Sequence, residues 1–433
     1  MKPSPKIESV PTEALKAWSK NARTHSRKQI RQIAGSIERF GFTSPVLIDD
    51  DDSILAGHGR VAAAKLLQLP AVPCVRITSL SAAEKRAYVL ADNKLALNAG
   101  WDEDLLAEEL KALLDIDIGF DVSLTGFSIA EIDDLVEGQA PQEKGDPRAD
   151  AVPEEAPARC KLGDIWQLGR HRLMCGSSLD RETVDLLMAG EKAAMVFTDP
   201  PYNVPIDRNV SGLGAIKHRE FAMASGEMSR AEFTEFLRQA MGNLIGASMD
   251  GSIHFVCMDW RHMEEMLTAG ALYAELKNLI VWVKDNGGMG TFYRSRHELV
   301  FAFKNGTKPH INSFELGQHG RYRTNVWEYR GVNTLKTGRL NELSLHPTVK
   351  PVQMIVDAIK DVSGRGDVVL DLFGGSGSTL IAAEKSGRRA FLMELDPVYC
   401  DRIMRRWELY AHGEAEQIAC GTGVFPVRLE VAS

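Results

Sequence analysis

The stretch Thr198-Asp199-Pro200-Pro201-Tyr202-Asn203 puts a carboxylate, two prolines and an aromatic ring directly after an apolar run, Ala193-Ala194-Met195-Val196-Phe197. The run reads as a buried strand, and in an open α/β sheet ligands bind where such strands end. The prolines fix φ and remove two backbone donors, which leaves the carbonyls as acceptors. A carboxylate and a neighbouring carbonyl can together grip an NH2 group, while a tyrosine face stacks on a flat ring. Asp199, Pro200, Pro201 and Tyr202 are therefore a candidate catalytic set for a planar molecule with an exocyclic amine, such as adenine or cytosine. A proline turn in which Tyr202 only packs is the plainer reading of the same tetrapeptide.

A second constellation, Asp367-Val368-Val369-Leu370-Asp371-Leu372-Phe373-Gly374-Gly375-Ser376-Gly377-Ser378-Thr379, reads as a strand, a glycine turn and the start of a helix. Glycines let backbone approach a ligand closely, and a helix N-terminus attracts negative charge. The next strand ends in Met393-Glu394-Leu395-Asp396, and Glu394 lies 17 positions after Gly377. That is near the spacing at which an acidic residue meets a ribose diol. Asp371, Phe373, Gly374, Gly375, Gly377, Thr379 and Glu394 are the candidate residues for an adenosine-type cofactor.

The remaining chain has to position these two sets. Its 433 residues suffice for two or three domains, and 44% hydrophobic with 25% charged residues is ordinary for a globular protein. No apolar run reaches the ~18 residues of a membrane span, and Met1–Lys20 lacks the apolar core of a signal peptide. The six cysteines are scattered, with no C-x-x-C pair, so neither a disulfide framework nor a metal site is expected and a reducing cytoplasm fits. The net charge is −8, yet residues 284–350 hold 11 Lys/Arg against 5 Asp/Glu. A local basic surface of this kind suits double-stranded DNA. Arg294, Arg296, Arg321 and Arg323, with Asn203, are its candidate contacts, and Lys308, Arg330, Lys336 and Arg339 add to the charge.

Strand-like segments recur at 165–168, 172–175, 193–199, 252–258, 276–284, 298–304, 367–373 and 389–395, many separated by helical ones. Alternation of this kind predicts a mostly parallel, doubly covered α/β sheet over 159–433. Ser229-x-x-Glu232 is a capping box. Residues 203–228 lack periodicity and read as a loop able to close over a bound base. Residues 138–158, rich in Pro, Glu, Ala and Asp, read as a linker. Ahead of it, residues 1–137 form a smaller α+β domain with a helical extension. Ser26 caps a helix ending at Gly41, two short strands follow, and Leu105, Leu106, Leu110 and Leu113 form an apolar helical stripe. Gly57-His58-Gly59-Arg60 opens a helix, where Gly57, His58 and Arg60 can hold a phosphate; a tight turn with Arg60 paired to the acidic loop is the alternative.

Together the Asp-Pro-Pro-Tyr stretch and the Asp-x-Phe-x-Gly-x-Gly stretch resemble S-adenosylmethionine-dependent amino-methyltransferases of DNA. The amine site precedes the cofactor loop, as in the circularly permuted beta group. His346-Pro347-Thr348-Val349-Lys350-Pro351 is a third match, and the resemblance implies that Thr348 and Lys350 complete the cofactor pocket. It implies a Rossmann-like fold over roughly 160–410, S-adenosylmethionine as cofactor, and a target base flipped out of duplex DNA. Gly176-Ser177-Ser178 stands where the family often has an acid, with Asp180 and Asp396 as substitutes. Asp at the first position of Asp199-Pro200-Pro201-Tyr202 implies adenine N6 as the target, with cytosine N4 the alternative. Asn21-Ala22-Arg23, Gly41, Pro45 and Gly57-His58-Gly59-Arg60 resemble the ParB/sulfiredoxin-like N-terminal domain, whose Gly-x-x-Arg turn contacts nucleotide phosphates. The resulting expectation is a site-specific DNA adenine methyltransferase of restriction-modification type. Its partners would be DNA, a nucleotide at the N-terminal domain and a second copy in a homodimer. A non-catalytic, nucleotide-gated DNA-binding protein is the competing class.

Overall fold

The computed structural model describes residues 6–116, 122–137, 147–153, 159–204, 224, 226–285, 287, 292–314, 323–330, 349–420 and 423–424, and divides the chain into two compact units, Met1–Gln139 and Ala140–Ser433. Among the described residues no helix is long and apolar enough to cross a membrane.

The N-terminal unit contains β1 (Ile7–Pro11), α1 (Arg27–Phe40), β2 (Val46–Ile48), β3 (Ile54–Ala56), α2 (His58–Leu66), β4 (Ala71–Arg76), α3 (Ala82–Leu97), α4 (Glu103–Asp115) and α5 (Ile129–Glu137). Ser26 does cap α1, accepting from Gln29 N, and Gly41 ends it at φ +80°. The four strands pair in the order β1-β4-β2-β3 over a core that includes Val46, Ile48, Ile54, Val61 and Val72. Sequence periodicity had not marked β1 and β4. They pair antiparallel and include Pro11 and Pro73, residues that disfavour strands. Leu106, Leu110 and Leu113 of the expected stripe pack together, whereas Leu105 is exposed.

The second unit starts with a short helix, α6 (Pro147–Asp150), inside the span read as linker. Arg406 Nη2 donates to Ala149 O at 2.6 Å and Val352 N to Asp150 Oδ1 at 3.2 Å, so these residues belong to the larger domain. Then follow β5 (Ile165–Leu168), β6 (His171–Cys175), α7 (Arg181–Met188), β7 (Ala193–Thr198), α8 (Arg230–Ala247), β8 (Ser248–Met258), α9 (Met263–Gly270), β9 (Glu275–Val283), β10 (His297–Lys304) and β11 (Val326–Glu328). The chain closes with α10 (Val352–Val362), β12 (Val368–Asp371), α11 (Ser378–Ser386), β13 (Arg389–Glu394), α12 (Pro397–Ala411), β14 (Ala415–Cys420) and β15 (Gly423–Val424). The capping box at Ser229 and Glu232 starts α8.

These strands build one sheet, β11-β9-β10-β8-β7-β12-β13-β6-β5-β14-β15. Its centre, β8-β7-β12-β13-β6, is parallel. Antiparallel pairing of β10 with β8 and β9, and of β5 with β6 and β14, makes the flanks mixed. From β7 the chain winds one way to β8, and from β12 the other way to β13. The switch point therefore lies between β7 and β12, where an open sheet leaves a crevice.

Candidate active site

Both chemical stretches leave the sheet at that crevice, Asp199 from β7 and the glycine turn from β12. They are braced together by Asp371. Its Oδ1 accepts from Thr198 Oγ1 at 2.7 Å and Phe373 N at 3.0 Å, and its Oδ2 accepts from Thr379 Oγ1 at 2.7 Å. Burial pushes the Asp371 carboxyl up to about 7, against these hydrogen bonds. Asp371 and Thr379, expected at a cofactor, hold the two strand ends and the first turn of α11 in register. Phe373 packs against Phe236 at a ring distance of 5.9 Å.

Asp199 lies in a half-buried charge cluster, with Lys350 buried at its centre, that the sequence did not disclose. Its Oδ2 accepts from Lys350 Nζ at 2.5 Å and its Oδ1 from Tyr202 OH at 2.7 Å. Tyr202 OH also reaches Glu298 Oε2 at 3.2 Å, and Lys350 Nζ lies 3.1 Å from the same oxygen. Lys284 Nζ donates to Glu298 Oε1. Lys350, expected with Thr348 to complete the cofactor pocket, holds the carboxylate of the amine site. Tyr202, expected as a stacking platform, uses its hydroxyl to orient that carboxylate, with the Lys350 ammonium 5.5 Å from its ring centre. Burial, with Glu298 nearby, raises the Asp199 carboxyl above its ordinary value against the pull of Lys350. Glu298 is pushed up by burial too, but Lys350 and Lys284 outweigh this and hold it at about 2. Lys284 directly follows β9 and Glu298 is the second residue of β10, so the antiparallel flank brings them to Asp199. Pro200 is buried and Pro201 half-buried beside them.

The glycine turn is fixed from two sides. Gly375 (φ +51°) and Gly377 (φ +81°) require left-handed backbone. A Cβ on Gly374 or Gly377 would meet Ile403 of α12 at 3.1 or 3.2 Å. Glu394 Oε2 accepts from Gly375 N at 2.8 Å and Oε1 from Asp396 N at 2.9 Å. Burial raises this carboxyl to about 7. Each oxygen keeps a further lone pair, so the carboxylate remains able to accept from the hydroxyls of a diol. Arg406, 2% exposed, supports the turn from below through Ser376 O at 2.8 Å. Sequence reasoning missed Arg406, since it is buried mid-helix and far along the chain. Asp180 and Asp396, expected as substitute acids, are the N-caps of α7 and α12.

The expected DNA contacts separate. Arg323 is half-buried and engaged within the protein: it pairs with Asp361 Oδ2 at 2.9 Å, donates to Tyr329 OH at 2.9 Å and stacks over Trp327. Its role is to fasten β11 to α10. Asn203 is turned inward as well, accepting from Gly226 N and Met228 N at 3.0 and 3.2 Å and donating to Met228 O at 2.8 Å. It clasps the two ends of the 204–226 segment. Arg294 donates to Gly287 O, and Arg296 gives its carbonyl to Lys284 N. Beside them in the chain, Phe292 and Tyr293 are 87% and 81% exposed. Arg321, Thr348, Lys336, Arg339, His346, Pro347 and most of 203–228 lie outside the described residues.

In the N-terminal unit, Gly57 (φ +102°) caps α2. Gly57, His58, Arg60, Asn21, Arg23 and His25 line a cavity of about 170 Å³. His58 Nε2 accepts from Trp18 N at 3.2 Å, and burial together with His25 lowers its pKa. Burial also lowers Arg60, against the attraction of Asp92.

Three family models match the chain. One described as DNA methylase covers residues 193–405, one described as ParB N-terminal domain covers 2–94, and one described as ParB-methyltransferase HTH domain covers 104–162. The helix-turn-helix match was not legible as such in the helical extension. Residues of the N-terminal unit are 44% identical over 81 positions to the ParB-like nuclease domain-containing protein YnaK of Escherichia coli K12, spanning 19% of this chain and 93% of that protein. The larger unit is similar to the DNA adenine methyltransferase YhdJ of Escherichia coli K12, 26% identical over 255 residues (53% and 81% of the two chains). It is also similar to the type II methyltransferase M2.DpnII of Streptococcus pneumoniae, 26% identical over 236 residues (51% and 84%).

Proposed function

Given that this chain belongs to the amino-methylating (N6/N4) DNA methyltransferases that carry ParB-type N-terminal domains, we propose that it methylates the exocyclic N6 of an adenine flipped out of duplex DNA. The observation that carries this reading is the Asp199 carboxylate at the sheet's switch point, braced through Thr198, Asp371 and Thr379 to the glycine turn. An amine acceptor and a cofactor turn are thereby held as one rigid unit.

The family uses S-adenosylmethionine, and the residues present fit it. Glu394 offers acceptor lone pairs for a ribose diol, and the Gly374–Gly377 turn brings backbone to the same crevice. When bound, the cofactor supplies a methyl group on a positively charged sulfur, a good leaving group.

The chain's own residues prepare the amine. Its nitrogen is a poor nucleophile because its lone pair is delocalised into the ring. Hydrogen bonds from its two N–H groups to Asp199 and to the Pro200 carbonyl favour a pyramidal nitrogen with a localised lone pair. Tyr202 OH and Lys350 Nζ fix the carboxylate in place beforehand, which is catalysis by positioning and preorganised charge. As nitrogen bonds to carbon it must lose a proton, and a carboxylate with a raised pKa accepts one more readily than an exposed aspartate.

Nucleoside mass spectrometry of unmethylated DNA after incubation with the protein and S-adenosylmethionine tests the reading, with Asp199→Ala alongside. N6-methyladenine that is lost in the variant is the expected result. N4-methylcytosine would keep the chemistry and overturn the base. For the N-terminal unit, the basic cavity at Gly57, His58 and Arg60 supports a nucleotide phosphate as ligand. Equilibrium binding of radiolabelled nucleoside triphosphates, with Arg60→Ala as control, tests it.

A further inference from the structure

Three cysteines that share no sequence pattern meet inside the methyltransferase unit. Cys160 precedes β5, Cys175 ends β6 and Cys400 lies in the first turn of α12. Their sulfur atoms all lie within 4.8 Å of one another, and the residues are 3%, 0% and 0% exposed. Each thiol also reaches a backbone carbonyl, but loosely: Lys161 O at 3.8 Å, Leu395 O at 3.7 Å and Glu394 O at 3.5 Å. Beside Cys160 sits Trp166, 7% exposed, whose indole Nε1 faces the Cys160 sulfur and has no better-placed acceptor. A metal-bound thiolate is a far better acceptor for that N–H than a neutral thiol.

The spacing suits an ion. With metal–sulfur bonds of about 2.3 Å, three thiolates around one centre sit roughly 3.8–4.0 Å apart, inside the 4.8 Å that bounds the observed triangle. Soft sulfur ligands select thiophilic ions with filled d shells. Among the described residues no His, Asp or Glu joins the group, and hence the set is three-coordinate from the protein side.

We propose that Cys160, Cys175 and Cys400 form a trithiolate site for one thiophilic d10 metal ion of the zinc class. Binding exchanges three S–H protons for the ion, with no change of oxidation state. The ion would tie the entry segment at residue 160 to β6 and α12, immediately behind Glu394, which pairs with Cys175 in the sheet register. It is a structural clamp on the wall of the cofactor crevice, and it does not depend on which base is methylated.

The test uses the full chain, purified under reducing conditions and stripped with a chelator. Cd2+ titration followed by thiolate-to-metal charge-transfer absorption should saturate at one ion per chain. Zn2+ should raise the melting temperature, and a chelator should reverse the rise. Cys160→Ser should lose most of the absorption band, whereas Cys74→Ser, in the other unit, should keep it. No band and no metal-dependent melting shift in the folded unaltered chain would overturn the proposal, and the thiols would be core packing only. An unchanged band in Cys160→Ser would place the ion elsewhere and overturn it equally. So would a chain two hydrogens lighter by intact mass before reduction, which would mean a disulfide.

Discussion

Replacing Lys350 by Met removes one ammonium and keeps most of the side chain's volume. In the structure that ammonium lies 2.5 Å from Asp199 and 3.1 Å from Glu298, on a residue 5% exposed. Without it, two carboxylates face each other across Tyr202 OH, and only Lys284 compensates. Breaking a buried ion pair from one side costs about 3–5 kcal/mol. At about 2–3 °C per kcal/mol for a domain of this size, the melting temperature at pH 7.5 should fall by roughly 6–15 °C. The loss should depend on pH, with a sign that follows from proton binding. In the variant the folded-state pKa of these carboxyls is raised above the unfolded value, so the folded form binds more protons between the two. Its stability therefore falls as pH rises through that window. The gap between variant and parent should accordingly be smaller at pH 5 than at pH 7.5, as read by urea unfolding at both. Methyl transfer at pH 7.5 should drop about 100-fold, the scale of losing one preorganised charge contact, and recover partly as pH rises. Equal destabilisation at both pH values, or unaltered methyl transfer, would refute the view of Lys350, Asp199 and Glu298 as one electrostatic unit.

Three other outcomes are expected. Asp371 and Glu394 both sit near 7 in the folded protein because of burial, above the ordinary carboxylate range near 4. Protein stability should therefore decline between about pH 4 and 7, by up to ~1.4 kcal/mol per pH unit for each group; chemical unfolding across this range, with Asp371→Asn flattening the slope, checks it. Asn203→Ala should unclasp the ends of the 204–226 segment, raising KM for DNA several-fold in steady-state assays while leaving melting within about 1 kcal/mol. Arg323→Ala should cost about 1.5–3 kcal/mol through the lost Asp361 and Tyr329 bonds, seen by thermal unfolding, and should leave the salt dependence of DNA affinity unaltered.

Local chemistry is written locally, and it was readable. Asp199 through Tyr202 are adjacent in the chain, as are Gly374 through Gly377, so their types alone announce an amine acceptor and a tight turn. The same holds for the caps at Ser26 and Ser229, whose bonding partners lie three residues away. Strand edges were harder. β1 and β4 hold prolines that argue against strands, and the pairing that overrides this preference is made between distant segments.

What the sequence determined by itself was therefore a set of short-range facts: which strand carries a carboxylate at its end, where glycine permits left-handed backbone, and the family both imply. The tertiary structure decided what each side chain touches. Lys350 reaches Asp199 across 151 positions, Glu298 arrives on an antiparallel strand, and Arg323 is drawn into an ion pair with Asp361. The three thiols also meet only in the fold, because register places Cys175 opposite Glu394 and α12 delivers Cys400 behind it. The physical reason is common to all four. A charged or thiol group carries no periodic signal of its own, and its role is set by the partner that burial forces upon it.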